Sequence, residues 1–157
     1  MSKQQLQNDL NKALKEKDQL KRLVLGMLMT AVKNKELMKR QQLSKSVTTE
    51  TQNELEARKK LEKESQLNDE EVMEVIAGEV KKRREAVEQF KAGGRDELAQ
   101  KEKSEMDILL TYLPEQLGEE EIRAEVQKTI TELSAAGPKD MGKVIGTVMA
   151  KLKGKAD

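Results

Sequence analysis

Apolar residues along this chain recur at intervals of three and four, the signature of amphipathic helices rather than of strands. Leu6, Leu10, Ala13 and Leu14 place a first helix over about residues 3–17. Asp18 is a suitable N-cap for a longer second helix. Its stripe runs Leu20, Leu23, Val24, Met27, Leu28, Ala31 and Val32, then more raggedly to Leu37 and Met38, with Leu25 adding width. This is the expected most buried helix of the N-terminal half, and the pattern fails near Leu43 and Ser44.

Residues 44–66 carry only Leu55 and Leu61 as sparse apolar contacts after a Thr51-Gln52-Asn53-Glu54 capping-box pattern. They read as a loop followed by a charged, weakly anchored helix, with a disordered insertion as the alternative. Asn68 with Glu71 three residues on opens the third strong helix, whose seam is Val72, Ile76, Val80, Val87 and Phe90, interrupted at Arg83 or Arg84. Ala92-Gly93-Gly94 stops it, and a helix carrying Leu98, Met106, Leu109, Leu110 and Leu113 follows from Arg95-Asp96. The short connection makes these two helices antiparallel neighbours. Pro114 ends the second of them, and Glu115-Gln116-Leu117-Gly118 is a linker. The organisation expected is an all-α helical-bundle body over 1–114, with 44–66 as a charged insertion, and a small helical domain over 119–157.

In that second part, Glu119-Glu120-Glu121 opens a helix with Ile122, Val126, Thr129, Ile130 and Leu133 on its face, and Gly137-Pro138 breaks it. The last stretch places Met141, Val144, Ile145, Val148, Met149 and Leu152 in one helical stripe. Gly142, Gly146 and Ala150 follow at four-residue spacing on another face, a surface that a second backbone can approach closely. Lys139, Lys143, Lys151 and Lys153 flank both.

Composition narrows the function classes. Charged residues make up 38% and apolar ones 36% of the 157 residues, with a single Phe90 and a single Tyr112, which suits long solvated helices and a thin core. The chain has neither histidine nor cysteine. Disulfides are therefore excluded, and the usual ligands and bases of zinc, haem, Cys/His and Ser/His/Asp sites are missing. No metal or cofactor is expected, and no residue stands out as catalytic. The opening Met1-Ser2-Lys3-Gln4-Gln5 has no signal-peptide core, and no window reaches membrane-span length, so a cytoplasmic protein without a membrane partner is expected. The net charge of +1 conceals basic ends and acidic blocks between them, compatible with one end facing an anionic partner.

Each charged or small-residue motif has a structural reading beside the functional one. Glu119-Glu120-Glu121 complements a helix dipole better than it serves as an acid–base pair. Lys81-Lys82-Arg83-Arg84 sprays over all sides of a helix and is partly neutralised by Glu79, Glu85 and Glu88. Ala92-Gly93-Gly94-Arg95 lacks a preceding strand and is a turn rather than a phosphate loop. The glycine face of the last helix fits close packing inside a domain. It equally fits an RNA backbone held by lysines, recognised by shape and phosphate, since aromatics for base stacking are lacking.

Several segments resemble the GatB/YqeY family. They are Glu79-Val80-Lys81-Lys82-Arg83-Arg84-Glu85-Ala86-Val87-Glu88-Gln89-Phe90, then Gly94-Arg95-Asp96-Glu97-Leu98, then Tyr112-Leu113-Pro114-Glu115-Gln116-Leu117. Lys139-Asp140-Met141-Gly142-Lys143-Val144-Ile145-Gly146 is similar to the family signature, and Lys151 to Asp157 to its continuation. The similarity spans nearly the whole chain except residues 44–66. It implies a helical body followed by a domain like the C-terminal tail of the B subunit of aspartyl/glutamyl-tRNA amidotransferase. That tail helps hold the tRNA and contains no catalytic centre. The family's label of carbon–nitrogen ligase with glutamine as amide donor comes from the shared domain. The resemblance also implies a further amphipathic helix beyond Asp157, so the small domain would lack its last helix.

Three readings follow. The first is an accessory module binding tRNA through Lys139, Lys143, Lys151 and Lys153, with Gly142, Gly146 and Ala150 as the close-approach face. The second is a protein-interaction module using the same helix. The third is part of a glutamine-dependent carbon–nitrogen ligase. The specific tRNA or protein partner and the oligomeric state are not legible in the sequence.

Overall fold

A computed structural model describes residues 1–46, 54–134, 137–152 and 155. Among them the chain is all-α: α1 (Lys3–Glu16), α2 (Gln19–Ser46), α3 (Glu54–Glu64), α4 (Asp69–Ala92), α5 (Asp96–Leu110), α6 (Glu119–Glu132) and α7 (Met141–Lys151), the last preceded by a short 3-10 turn at Pro138–Asp140. The helices form two compact units, Met1–Tyr112 and Leu113–Asp157. The capping box expected at Thr51 to Glu54 and the candidate Lys153 rest on side chains outside the described residues.

In the first unit the helix ends follow local chemistry. The Ser2 hydroxyl accepts from the Gln5 N–H at 3.2 Å, and the Asp18 carboxylate accepts from the Lys21 N–H at 3.0 Å. Between those caps, Lys17 turns the chain with a left-handed backbone (φ 59°). Asn68 and Glu71 close the expected capping box: the Asn68 side chain accepts from the Glu71 N–H at 2.9 Å, and the Glu71 carboxylate from the Asn68 N–H at 2.8 Å. At the other end of α4, Gly94 takes φ 67°. The Arg95 N–H reaches the Phe90 carbonyl at 2.8 Å and the Gly94 N–H the Lys91 carbonyl at 3.0 Å, a Schellman cap that folds α5 back along α4.

The core of this unit is Leu6 and Ala13 of α1, Val24, Leu25, Leu28 and Val32 of α2, Val72, Ile76, Val80 and Val87 of α4, and Ala99 and Leu109 of α5. The expected α2 stripe is therefore rotated. Leu25 is fully buried, whereas Leu20, Leu23 and Met27 stay 37%, 49% and 48% exposed. The cause is the company α2 keeps: α1 packs on one flank and α4 and α5 on another. The face shared among three neighbours is centred between Val24 and Leu25, not on the midline of the apolar stripe.

The interruption expected in the α4 seam is Arg83, which lies in the core face itself, 7% exposed. Its guanidinium pairs with Glu105 and, at 2.9 Å, with Glu102, both on α5. Segment 54–64 is a helix, as its charged pattern predicts. Its end is fixed by α2: Arg40 donates to the fully buried Ser65 hydroxyl at 3.2 Å, and Glu36 accepts from the Leu67 N–H at 3.3 Å. No helix among the described residues is long and apolar enough to cross a membrane.

Candidate functional site

The second unit pairs α6 with α7. α6 opens as its acidic first turn predicts: the Glu121 carboxylate accepts from the Gly118 N–H at 2.9 Å, and Glu119 pairs with Arg123 at 3.0 Å. The three glutamates are thus accounted for by the helix start. Beyond α7 the Leu117 N–H donates to the Lys155 carbonyl at 2.8 Å, tying the segment before α6 to the end of the unit.

α7 divides its apolar residues between two sides. Val144 and Leu152 are buried against the unit, with Thr147 and Val148 partly covered. Met141, Ile145 and Met149 remain 57%, 51% and 68% exposed, in register with exposed Gly142, Gly146 and Ala150. The single stripe expected from the sequence is thus half core and half surface. Among the described residues α6 is the helix packed on α7, and one neighbour covers one side. The signal was present in the width of the stripe, which exceeds the roughly 100° that a one-sided contact uses.

A Cβ built on Gly142 or Gly146 meets no atom within 4 Å. Close helix–helix packing inside the described unit therefore does not account for these small residues. They leave a smooth strip about 100° around the helix from Met141, Ile145 and Met149.

The four candidate lysines separate. Lys139, in the 3-10 turn, and Lys143, on α7, are exposed and have no hydrogen-bond or ion-pair partner among the described residues. Lys151 is held within the unit: its ammonium donates to Glu132 at 2.7 Å, to Glu125 at 3.1 Å and to the hydroxyl of fully buried Thr129 at 3.3 Å. The bond to Glu132, then that to Glu125, raises the Lys151 pKa, and the Lys151 bond holds the Glu132 carboxyl below its ordinary value. Lys151 stands seven residues after Val144 and so shares its inward side, a position that a count of basic residues cannot reveal. Lys153 lies outside the described residues.

Other charged groups are engaged internally. In the Lys81–Arg84 run, Arg83 pairs with α5, Lys82 pairs with Glu79 at 2.7 Å, and Lys81 and Arg84 also have partners. A cleft of about 490 Å³ between α1, α2 and α3 contains Lys3, Glu36, Arg40 and Glu62. Four of its ions pair, Lys3 with Glu36 at 2.7 Å and Arg40 with Glu62 at 3.8 Å. Among the described residues no group of three or more acidic side chains is arranged to hold a metal ion.

Comparison with known proteins matches residues 45–157 to the family described as Yqey-like protein. The match takes in residues 45–66, the stretch that the sequence resemblance sets aside as an insertion, and leaves the first 44 residues outside it. One similar protein is "Altered inheritance of mitochondria protein 41, mitochondrial" of Pyrenophora tritici-repentis, 32% identical over 90 residues, which are 56% of this chain and 49% of that protein. Another is an uncharacterized protein of Schizosaccharomyces pombe, 43% identical over 47 residues, which are 30% of this chain and 38% of that one. The chain thus spans half or less of the curated relatives it matches. With most of its length inside the family match and an all-α fold of paired helices, the chain belongs to the Yqey-like protein family.

Proposed function

We propose that this chain works by binding, as an amidotransferase-like accessory protein, and that α7 lies along a tRNA backbone. The observation that carries the proposal is the open strip of Gly142, Gly146 and Ala150, which no packing within the described unit explains. A strip without side chains lets a sugar–phosphate backbone come close, and the unpaired Lys139 and Lys143 stand ready to neutralise phosphates. Lys151 leaves the proposed contact set, because two carboxylates already hold it. Family membership and the likeness of Lys139 to Gly146 to the amidotransferase-tail signature support the same choice. Nothing in the strip supplies a nucleophile or base, so any amide-transfer chemistry would belong to a partner protein.

Titration of labelled tRNA at several salt concentrations tests this. Each phosphate contact contributes about 0.7–0.9 to the slope of log affinity against log salt. Lys139→Glu with Lys143→Glu is expected to lower that slope by about 2 and to weaken binding. Absence of saturable, salt-sensitive binding in the unmodified chain sinks the proposal.

A second reading is favoured by Met141, Ile145 and Met149, which form a row of exposed apolar side chains at four-residue spacing along α7 that suits a helix of a protein partner. In that case Gly142→Leu and Gly146→Leu abolish the complex, whereas reversing the charge of the two lysines changes it little.

A further inference from the structure

Both hairpin turns of the first unit lie at the same end of it. Lys39 pairs with Glu71 at 2.7 Å, and the Arg83 guanidinium donates to the Met27 sulfur at 3.8 Å. α2 and α4 therefore run antiparallel, advancing by equal steps between those two contacts. Carried on at that register, the start of α2 comes level with the end of α4, where α5 begins. The Lys17 turn between α1 and α2 and the Gly93-Gly94 turn between α4 and α5 thus share one pole of the bundle.

Cations gather at this pole, and the fold does not use them. Residues 12–23 and 90–98 together carry seven Lys and Arg against four Asp and Glu. Among the described residues, the side chains of Lys15, Lys17, Lys21, Arg22, Lys91 and Arg95 have no hydrogen-bond or ion-pair partner. Toward the opposite pole the cations are paired: Lys3 with Glu36, Lys39 with Glu71 and Arg40 with Glu62. Lys21 and Arg22 stand in the first turn of α2, which holds no acidic residue, although a helix dipole favours acids there. Helix stability therefore does not account for them.

Apolar side chains emerge among these cations. Leu14 of α1, Leu20 and Leu23 of α2 and Leu98 of α5 are between 37% and 50% exposed. All four lie within about 6 Å of a helix end at this pole, measured along the helix axis. In Leu20, Leu23 and Leu98 the Cα–Cβ bond tilts toward the N-terminus of the helix, and so toward the pole.

We propose that this pole docks on the surface of an anionic phospholipid bilayer, its leucines at the headgroup–acyl boundary and its cations among the lipid headgroups. Such contact needs no spanning helix, and a depth of about 6 Å is that of interfacial side chains. A nucleic acid would engage the cations but gain nothing from the leucines, which makes the bilayer the better occupant. Each Lys or Arg near an anionic surface contributes about fivefold to partitioning, so a net of three charges gives about a hundredfold preference over a neutral bilayer. The surface belongs to the first unit and does not rest on RNA binding by α7.

Sedimentation of the full chain with phosphatidylcholine vesicles, with and without phosphatidylserine, reads the binding. Lys15→Gln with Arg22→Gln should weaken binding to the anionic vesicles about twentyfold. Leu14→Gln with Leu23→Gln, on half-exposed positions, should weaken it at least tenfold, with the helical circular dichroism intact in both variants. The chain has no tryptophan, so Leu23→Trp is a single reporter of depth. Its emission should shift to the blue on the anionic vesicles and be quenched by brominated acyl chains. Met38→Trp, far along α2 from this pole, should do neither. Absence of binding to the anionic vesicles, equal binding to the neutral ones, an unshifted Leu23→Trp emission, or an equal shift from Met38→Trp overturns the proposal. Loss on the charge pair with none on the leucine pair also overturns it, and assigns the cations to a nucleic acid instead.

Discussion

The ammonium of Lys151 donates to Glu132 at 2.7 Å, across from α7 to the last turn of α6. A lysine that reads as a surface cation is thereby an internal tie of the second unit, and of the candidate lysines among the described residues Lys139 and Lys143 remain exposed. Lys151→Met is expected to loosen the unit without changing the salt slope of RNA binding, whereas Lys143→Met reduces that slope by about 1. Salt-dependent titration beside hydrogen exchange on α6 and α7 distinguishes the two. Because the Glu132 pKa is lowered in the folded unit, the tie is fully present above the ordinary carboxylate value and is lost as pH falls through the folded one.

Arg83 and Glu105 are both nearly inaccessible, 7% and 4% exposed, and the Arg83 Nε has no partner. Breaking a buried pair from one side strands the other charge, so Arg83→Met is expected to cost about 3–5 kcal/mol. Arg83→Met together with Glu105→Leu should recover most of that, since Glu102 is more exposed and can turn to water. Urea denaturation of the two single variants and the double one supplies the cycle.

Two left-handed residues predict opposite signs. Gly94 at φ 67° meets no steric objection, and Gly94→Ala is expected to destabilise by about 1 kcal/mol through backbone strain. Lys17 at φ 59° already bears that strain, so Lys17→Gly should stabilise by about 0.5 kcal/mol. Thermal melts of the two variants check the sign.

Tyr112 is buried, and its phenol is raised well above the ordinary value of 10.0 by that burial and then by a hydrogen bond to Asp9. The folded state keeps the proton that the unfolded chain would lose, so this contribution is complete below about pH 10 and declines above it. Tyr112→Phe should flatten the alkaline loss of stability. Chemical denaturation at pH 8, 10 and 11 reads the difference.

Much of the fold was legible because it is written locally. Asp18, Asn68 with Glu71 and Gly94 mark helix ends through backbone chemistry confined to a few residues, and those ends lie where the pattern predicts, whereas α5 stops at Leu110, short of the Leu113 that the pattern carried up to Pro114. The α4–α5 hairpin follows from its glycine turn, since two long helices joined so briefly must run back along each other. The open strip at Gly142, Gly146 and Ala150 was legible as a pattern, but whether anything covered it was not.

By itself, then, the sequence determined an all-α chain, those helix ends that carry a cap or a glycine turn, its lack of histidine and cysteine chemistry, and the family resemblance. Each of these depends on residue identity and near neighbours. Tertiary structure decided which side of each helix is core. Leu25 is buried and Leu20 is not because three helices meet α2 off the centre of its stripe. Lys151 is tied and Lys143 is open because α6 covers one side of α7. Arg83 became a core residue because α5 brings Glu102 and Glu105 to it from about twenty positions along the chain. Partners that distant leave no periodic trace, and only the folded packing brings them together.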